Sequence, residues 1–257
     1  MTDQREDYTL ILNFYNKSIE LLRHQCDLIK LQSHKPVLVI ACFLGDNTGH
    51  LFLEFMKYIK EHKLTNWKWV FSNHNFKYIG RYQIALNIPT DYVVMLDDDR
   101  HPGALYCEEM VEFAHKNNAI VQQYGWALRE FEIDGEMMYK DGHGDYIWTL
   151  ISKEDYDKLR GDKEYVEVSY LCGGMTFHKK HLKYLFNEPL LTDQTGEDII
   201  LCRKAALDGV LVAGYIPWYI GKSEDTFLGH DPGGVASTTV DVKENQDKRN
   251  ELLNIYK

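Results

Sequence analysis

Residues 92–103, YVVMLDDDRHPG, decide the fold. A short apolar run, closed by polar residues and by a Pro-Gly pair, reads as a strand buried on both faces. Outward from it the pattern repeats. Ile79 to Asn87 reads as a helix and WKWVFSN (67–73) as a strand. Leu51, Phe55, Tyr58 and Ile59 mark another helix, and Pro36 opens the apolar run VLVIACF (37–43). Downstream, a helix is predicted from about Gly103 to Lys116. Strands alternating with helices through short connections predict an α/β fold with a doubly wound, mostly parallel central sheet flanked by helices. Sheets of this kind bind ligands beyond the carboxyl ends of their strands, so the residues after each strand carry the functional expectation.

The chain has 257 residues, 44% of them hydrophobic, with 17 Tyr, 11 Phe and 5 Trp, enough for a sizeable core in one domain spanning 1–257. No window reaches the roughly 18 to 20 apolar residues that a transmembrane segment needs. The acidic, polar start MTDQREDYTL does not read as a secretory signal. With 29 Lys and Arg against 39 Asp and Glu, the net charge of -10 argues against nucleic acid as a partner. The five cysteines, at 26, 42, 107, 172 and 202, are odd in number and form no C-x-x-C pair. That argues against zinc and disulfides and for a reducing, cytoplasmic setting, with Cys42 and Cys202 as core residues.

Residues from about Asp7 to Gln32 show apolar positions at three- and four-residue steps (Leu12, Tyr15, Ile19, Leu22, Cys26, Ile29), predicting a helical appendage over 1–33. The stretch 36–125 forms the first half of the expected sheet and 126–240 the second. In the second half, AIVQQYGWALREFEIDGEMMY (119–139) predicts strands with a hairpin turn at Asp134-Gly135. Residues 140–163 predict a loop, VEVSYLCGGMTF (166–177) a strand ending in a glycine pair, and VLVAGYI (210–216) another strand. Helices are expected over about His178 to Phe186 and Glu197 to Leu207, and a polar helix closes the chain.

Two acidic groups draw the chemistry. Asp97, Asp98 and Asp99 follow a buried strand directly, and alternation lets Asp97 and Asp99 share one side while Asp98 turns away. Converging carboxylates repel unless a cation lies between them, and Mg²⁺ or Mn²⁺ with phosphate oxygens meets that need. Capping of the helix near Pro102 would require only one of the three. In TGEDIILCRKAALDG (195–209), Thr195 and Asp198 have capping-box spacing, leaving Glu197 and Asp198 at an exposed helix start. They read either as ordinary caps or as a general base for an acceptor hydroxyl.

Taken together, GRYQIALNIPTDYVVMLDDDRHPG, CGGMTFHKKHL and GEDIILCRKAALDG resemble, in order, three segments of the GT-A glycosyltransferases, especially the inverting family-two-like group. The resemblance runs over roughly 36–214. It implies a Rossmann-like GT-A domain with a smaller acceptor-side hairpin and loop region. It implies a nucleotide-sugar donor, with a UDP-sugar favoured, and a carbohydrate or glycoconjugate acceptor. Asp97 and Asp99 would form the D-x-D motif, with Asp99 on a Mn²⁺ or Mg²⁺ ion, Asp97 toward ribose or metal, and Asp98 also binding the nucleotide sugar. Asp198 would be the base, with Glu197 orienting the acceptor. Ala41, Phe43 and Asp46 would hold the nucleoside and Asn73 would touch the base. Arg81 would contact the base or pyrophosphate, or pair with an acid. His230, in FLGHDPGG, would be a third metal ligand or else a turn histidine. Acceptor contacts are expected around Trp126, His143 to Trp148 and Gly173-Gly174.

A single far-side base implies inversion at the anomeric carbon. A nucleotidyltransferase is the nearest alternative, but FLGDNTGH (43–50) lacks the Lys or Arg that a triphosphate loop carries. A non-catalytic binding protein on the same fold is the other. A dinucleotide-binding dehydrogenase is disfavoured because no G-x-G-x-x-G follows a strand.

Overall fold

A computed structural model describes residues 5–257 except 16, 46–47, 134–135, 149–150, 188–194 and 231–242. The elements, in chain order, are β1 (Tyr8–Asn13), α1 (Ile19–Lys30), β2 (Leu38–Leu44), α2 (Gly49–His62), β3 (Trp67–Ser72), α3 (Ile79–Ala85), β4 (Tyr92–Asp97), β5 (Arg100–Pro102) and α4 (Tyr106–Asn117). The second half contains β6 (Ala119–Gln122), β7 (Gly125–Leu128), β8 (Phe131–Ile133), β9 (Glu136–Met138), β10 (Gly144–Ile147), α5 (Lys153–Arg160), β11 (Val166–Glu167), β12 (Tyr170–Leu171) and β13 (Gly174–His178). It ends with α6 (Lys183–Phe186), α7 (Glu197–Leu207), β14 (Leu211–Gly214), β15 (Leu228–His230) and α8 (Lys243–Ile255). Eight strands make one sheet in the order β11-β14-β6-β13-β4-β1-β2-β3. Its β4-β1-β2-β3 half is parallel throughout. Strand β13 runs antiparallel to β4, so its first residue, Gly174, lies beside Leu96 at the carboxyl end of β4. Small sheets β10-β7-β12, β8-β9 and β15-β5 sit alongside.

The amino-terminal segment departs from expectation. Residues 8–13 are not helical and not an appendage: β1 is a central strand, hydrogen-bonded between β2 and β4. Tyr8, Leu10, Leu12 and Phe14 bury one face against Phe43 and Phe55, and Ile11 joins the core on the other. A strand covered on both faces loses its two-residue alternation, and Leu12 and Tyr15 extended the stripe of α1 by coincidence. The helix itself starts at Ile19, where the Ser18 side chain accepts from the Leu21 amide at 3.2 Å. From α1 the fully buried Gln25 reaches the sheet: its Nε2 donates to the carbonyls of Asp97 (2.7 Å) and Arg100 (2.8 Å). Gln25→Leu leaves two buried carbonyls without that donor and is expected to cost about 2 kcal/mol. Chemical denaturation checks it, and a change below about 0.5 kcal/mol would show that the amide does not hold the turn.

Two other readings are corrected. Residues 140–163 are not one loop, because they contain β10 and α5. The 166–177 stretch is three short strands in two sheets, with the glycine pair opening β13 rather than ending a strand. The turn expected at Asp134-Gly135 lies outside the described residues.

The closing helix α8 packs on α7 through Leu252 and Leu253, both fully buried. Leu252 occupies the space beside Gly196, where a Cβ would meet its Cδ1 at 2.3 Å. Gly196, at φ +85°, therefore serves both the turn into α7 and the docking of α8.

Burial also produces a pH response. His181 is 2% exposed, and neither ring nitrogen has a hydrogen-bond partner among the described residues. Burial, then the charges of Lys180 and Lys183, push its pKa down from 6.5 to about 4. The unfolded chain therefore takes up the proton first as pH falls. The stability tied to neutral His181 is present above pH 6.5 and is lost from there toward pH 4. The expected loss between pH 7 and 5 is about 2 kcal/mol, absent in His181→Phe. Melting curves of both proteins at the two pH values check it, and parallel declines would contradict it.

Candidate active site at the strand ends

The acidic run sits where β4 stops. Because the strand ends at Asp97, residues 98 and 99 lie in a turn and the alternation expected of Asp97 and Asp99 does not extend through them. Asp97 turns toward α3 and is hydrogen-bonded by Arg81 Nη1. Asp98 is the most buried of the three, and its Oδ2 accepts from the Tyr15 amide at 2.8 Å. Lys17 Nζ lies 3.8 Å from Asp98 Oδ1 and 4.0 Å from Asp99 Oδ2. On the other side Arg100 Nε lies 3.4 Å from Asp99 Oδ1. Burial, followed by the charges of Asp97 and Asp99, pushes Asp98 up to about 7, against the Tyr15 amide and Lys17. Asp98 thus ties the end of β1 to the end of β4, while Asp97 and Asp99 keep more of their side chains open, 30% and 24%.

Arg81 joins the two acidic motifs. Its guanidinium, 6% exposed, bonds Asp97 through Nη1 and reaches Glu197 Oε1 through Nη2 at 3.3 Å. Arg81 thus pairs with both acids. Glu197 and Asp198 are not at an exposed helix start: each is 8% exposed. Nor is there a capping box. Gly196 caps α7 with no side-chain bond, and Thr195 Oγ1 is buried without a partner among the described residues. Burial and the neighbouring Asp198 raise the pKa of Glu197, and Arg81 opposes the rise.

Asp198 is held by a residue that the sequence reading passed over. Arg249, on α8, donates to both of its oxygens, Nη1 to Oδ1 at 3.0 Å and Nη2 to Oδ2 at 3.2 Å, and its Nε donates to Asp141 at 2.8 Å. Tyr170 donates its hydroxyl to Asp141. Asn250 and Asn254 of α8 accept from the amides of Asp141 (2.7 Å) and Tyr139 (2.8 Å). The signal was present in the three- and four-residue steps of Arg249, Leu252 and Leu253, a buried face on a helix read only as polar. Nearby, Trp126 stacks on Tyr146 at 4.7 Å and Tyr146 on Trp148 at 6.3 Å, a half-buried aromatic row on the β10-β7-β12 sheet.

The residues expected to hold the nucleoside lie apart from the acidic run. Ala41 and Phe43 are fully buried, with Phe43 packed against Phe14, Phe52 and Phe55. The strand next to β4 is β1, so β2 lies one strand further from the acidic run. Asn73 is exposed just past β3, three strands from β4. Asp46 lies outside the described residues. His230 pairs by its backbone with Arg100 in the β15-β5 ladder, next to Asp99, although its side chain is outside the description. Among the described residues no three His, Cys, Asp or Glu side chains gather as a metal cage.

No family model and no curated protein sequence matches the chain. Solved structures do. GalNAc-T7 with UDP, GalNAc and Mn²⁺ superposes with a TM-score of 0.60 at 13% identity, over 84% of this chain and 43% of the other. The mannosyltransferase PcManGT from Pyrobaculum calidifontis, with GDP-Man and Mn²⁺, gives 0.58 at 18% identity, over 82% and 55%. The fold is GT-A. A third GT-A structure, S. aureus TarS 1-349 with UDP, gives 0.52 at 14% identity, over 80% and 57%. The chain spans about half the length of these structures. In this GT-A domain the expected α/β class holds, with β1 added to the sheet. No helix among the described residues is long and apolar enough to cross a membrane.

Proposed function

We propose that this GT-A domain is a metal-dependent glycosyltransferase that moves a sugar from a nucleotide-sugar donor, UDP-linked by preference, to a hydroxyl of a glycan acceptor with inversion. One observation carries the reading. Arg81 bridges Asp97 to Glu197, so the acidic run at the end of β4 and the acidic start of α7 form a single site. Carboxylate oxygens are the preferred donors of a hard divalent cation, and Asp99 already has the Lys17 ammonium 4.0 Å from its Oδ2. Asp99 and Asp97 would hold Mn²⁺ or Mg²⁺, with His230 close by in the chain fold. When bound, the ion would stabilise charge on the departing diphosphate. Asp98 fixes the loop after β1, whose Tyr15 and Lys17 would border the nucleoside. Asp198, oriented by Arg249, would take the proton of the acceptor hydroxyl, and the Trp126-Tyr146-Trp148 row would offer stacking to sugar rings.

A second assignment within this site has its own support. The raised proton affinity of Glu197 suits a base working near neutral pH, and Asp198 has both oxygens on Arg249. Titration calorimetry of the protein with UDP and GDP, each with and without Mn²⁺, tests the function. Metal-dependent binding of one nucleotide is the expected result. Binding of neither under any metal condition would reject the donor site and favour a non-catalytic binding protein.

A further inference from the structure

Arg100 is built into the site more tightly than a surface arginine and yet is not saturated. It is 8% exposed, and among the described residues neither Nε nor Nη1 makes a hydrogen bond. Its guanidinium carbon lies 4.0 Å from the centre of the Tyr124 ring. Its backbone is pinned twice, by Gln25 on its carbonyl at 2.8 Å and by the β5-β15 ladder opposite His230. The space it fills exists because residue 173 is glycine. A Cβ there would meet Nε and Nη2 at 2.3 Å, and the backbone is at φ +75°. Asp99 Oδ1, at 3.4 Å from Nε, supplies opposite charge without a hydrogen bond. A buried guanidinium with unpaired N–H groups is costly unless a ligand completes it, and its planar fork matches phosphate or carboxylate oxygens. Its position beyond Asp99, against Tyr124 and Gly173, is on the side of the acidic run away from Tyr15 and Lys17.

We propose that Arg100, seated between Tyr124 and Gly173, binds an anionic oxygen group of the donor on the acceptor-facing side of the acidic run. The inference rests on the glycosyltransferase reading and deepens it. Two parts of a nucleotide sugar present such oxygens, the diphosphate and the carboxylate of a uronic acid sugar. Arg100 is the residue that decides affinity for whichever is present.

Calorimetric titrations with Mn²⁺ separate the two sources. The ligands are UDP, UMP, UDP-glucose and UDP-glucuronate, with GDP and GMP in parallel. The proteins are wild type, Arg100→Lys, Arg100→Gln and Gly173→Ala. If the diphosphate is the ligand, Arg100→Gln weakens the diphosphates about tenfold or more and leaves the monophosphates within about twofold. If the sugar carboxylate is the ligand, wild type prefers UDP-glucuronate to UDP-glucose by about tenfold or more, and Arg100→Gln removes that preference. Gly173→Ala keeps the charge but displaces it, and is expected to reproduce the selective loss, so the proposal stays testable if Arg100→Gln fails to fold. Wild-type binding of a nucleotide with equal affinity in Arg100→Gln and Gly173→Ala, for every ligand, would overturn this inference alone. Binding of no nucleotide by wild type would instead overturn the reading beneath it.

Discussion

Asp198→Asn is expected to lower kcat by about 10³-fold while leaving donor affinity within about twofold of wild type. The amide keeps the shape and one acceptor oxygen for Arg249 but cannot take a proton from the acceptor. Removing the carboxylate also leaves Arg249, 9% exposed, with Asp141 as its remaining acid. Breaking a buried pair in this way costs about 3 kcal/mol or more, so a lower melting temperature is expected alongside the lost rate. The two effects separate when activity is measured well below the melting point of the variant. Glu197→Gln is the control, with an expected loss of only about tenfold, from weaker acceptor orientation. If the losses are exchanged, with Asp198→Asn retaining more than about a tenth of wild-type activity, the base is Glu197. Inversion is read separately, from the anomeric configuration of the first product formed.

The second large effect concerns the donor. Asp99→Ala is expected to remove the Mn²⁺ dependence of UDP or GDP binding and to weaken the nucleotide by about 100-fold, about 2.7 kcal/mol. Asp98→Ala should act differently, because its carboxylate is the most buried of the three and accepts from the Tyr15 amide. Its main effect is lost stability, about 1 to 3 kcal/mol for an orphaned buried donor. Titrations at several Mn²⁺ concentrations, with a denaturation curve for each variant, distinguish the two. If Asp99→Ala keeps full metal-dependent affinity, the metal ligands must be sought elsewhere in the site.

Much was legible because it is local. The strand Tyr92–Asp97, the acids that follow it and the helix Glu197–Leu207 are written in short runs whose burial depends only on alternation and periodicity. From these the α/β class, the acidic turn and the acidic helix start could be read directly. The amino-terminal strand was not legible, for one reason. In the sequence, residues 8–13 read as helix and β2 reads as the first strand, whereas in the fold β1 is inserted between β2 and β4. A strand covered on both faces carries no alternation to betray it, and its neighbour helix supplied a misleading stripe.

What lies between the acids could not be read at any spacing. Arg81 and Glu197 are 116 residues apart, Arg249 and Asp141 108, and Gln25 and Asp97 72. Each pairing satisfies a buried polar group, and which partner does so depends on how the sheet brings distant segments together. The sequence by itself determined the strand order of chemistry: apolar runs ending in carboxylates that must find a counter-charge. Only the tertiary structure decided which counter-charges those are. Burial makes an unpaired ion expensive, and the packing of α1 on β5, α3 on β1 and α8 on α7 selects the partners.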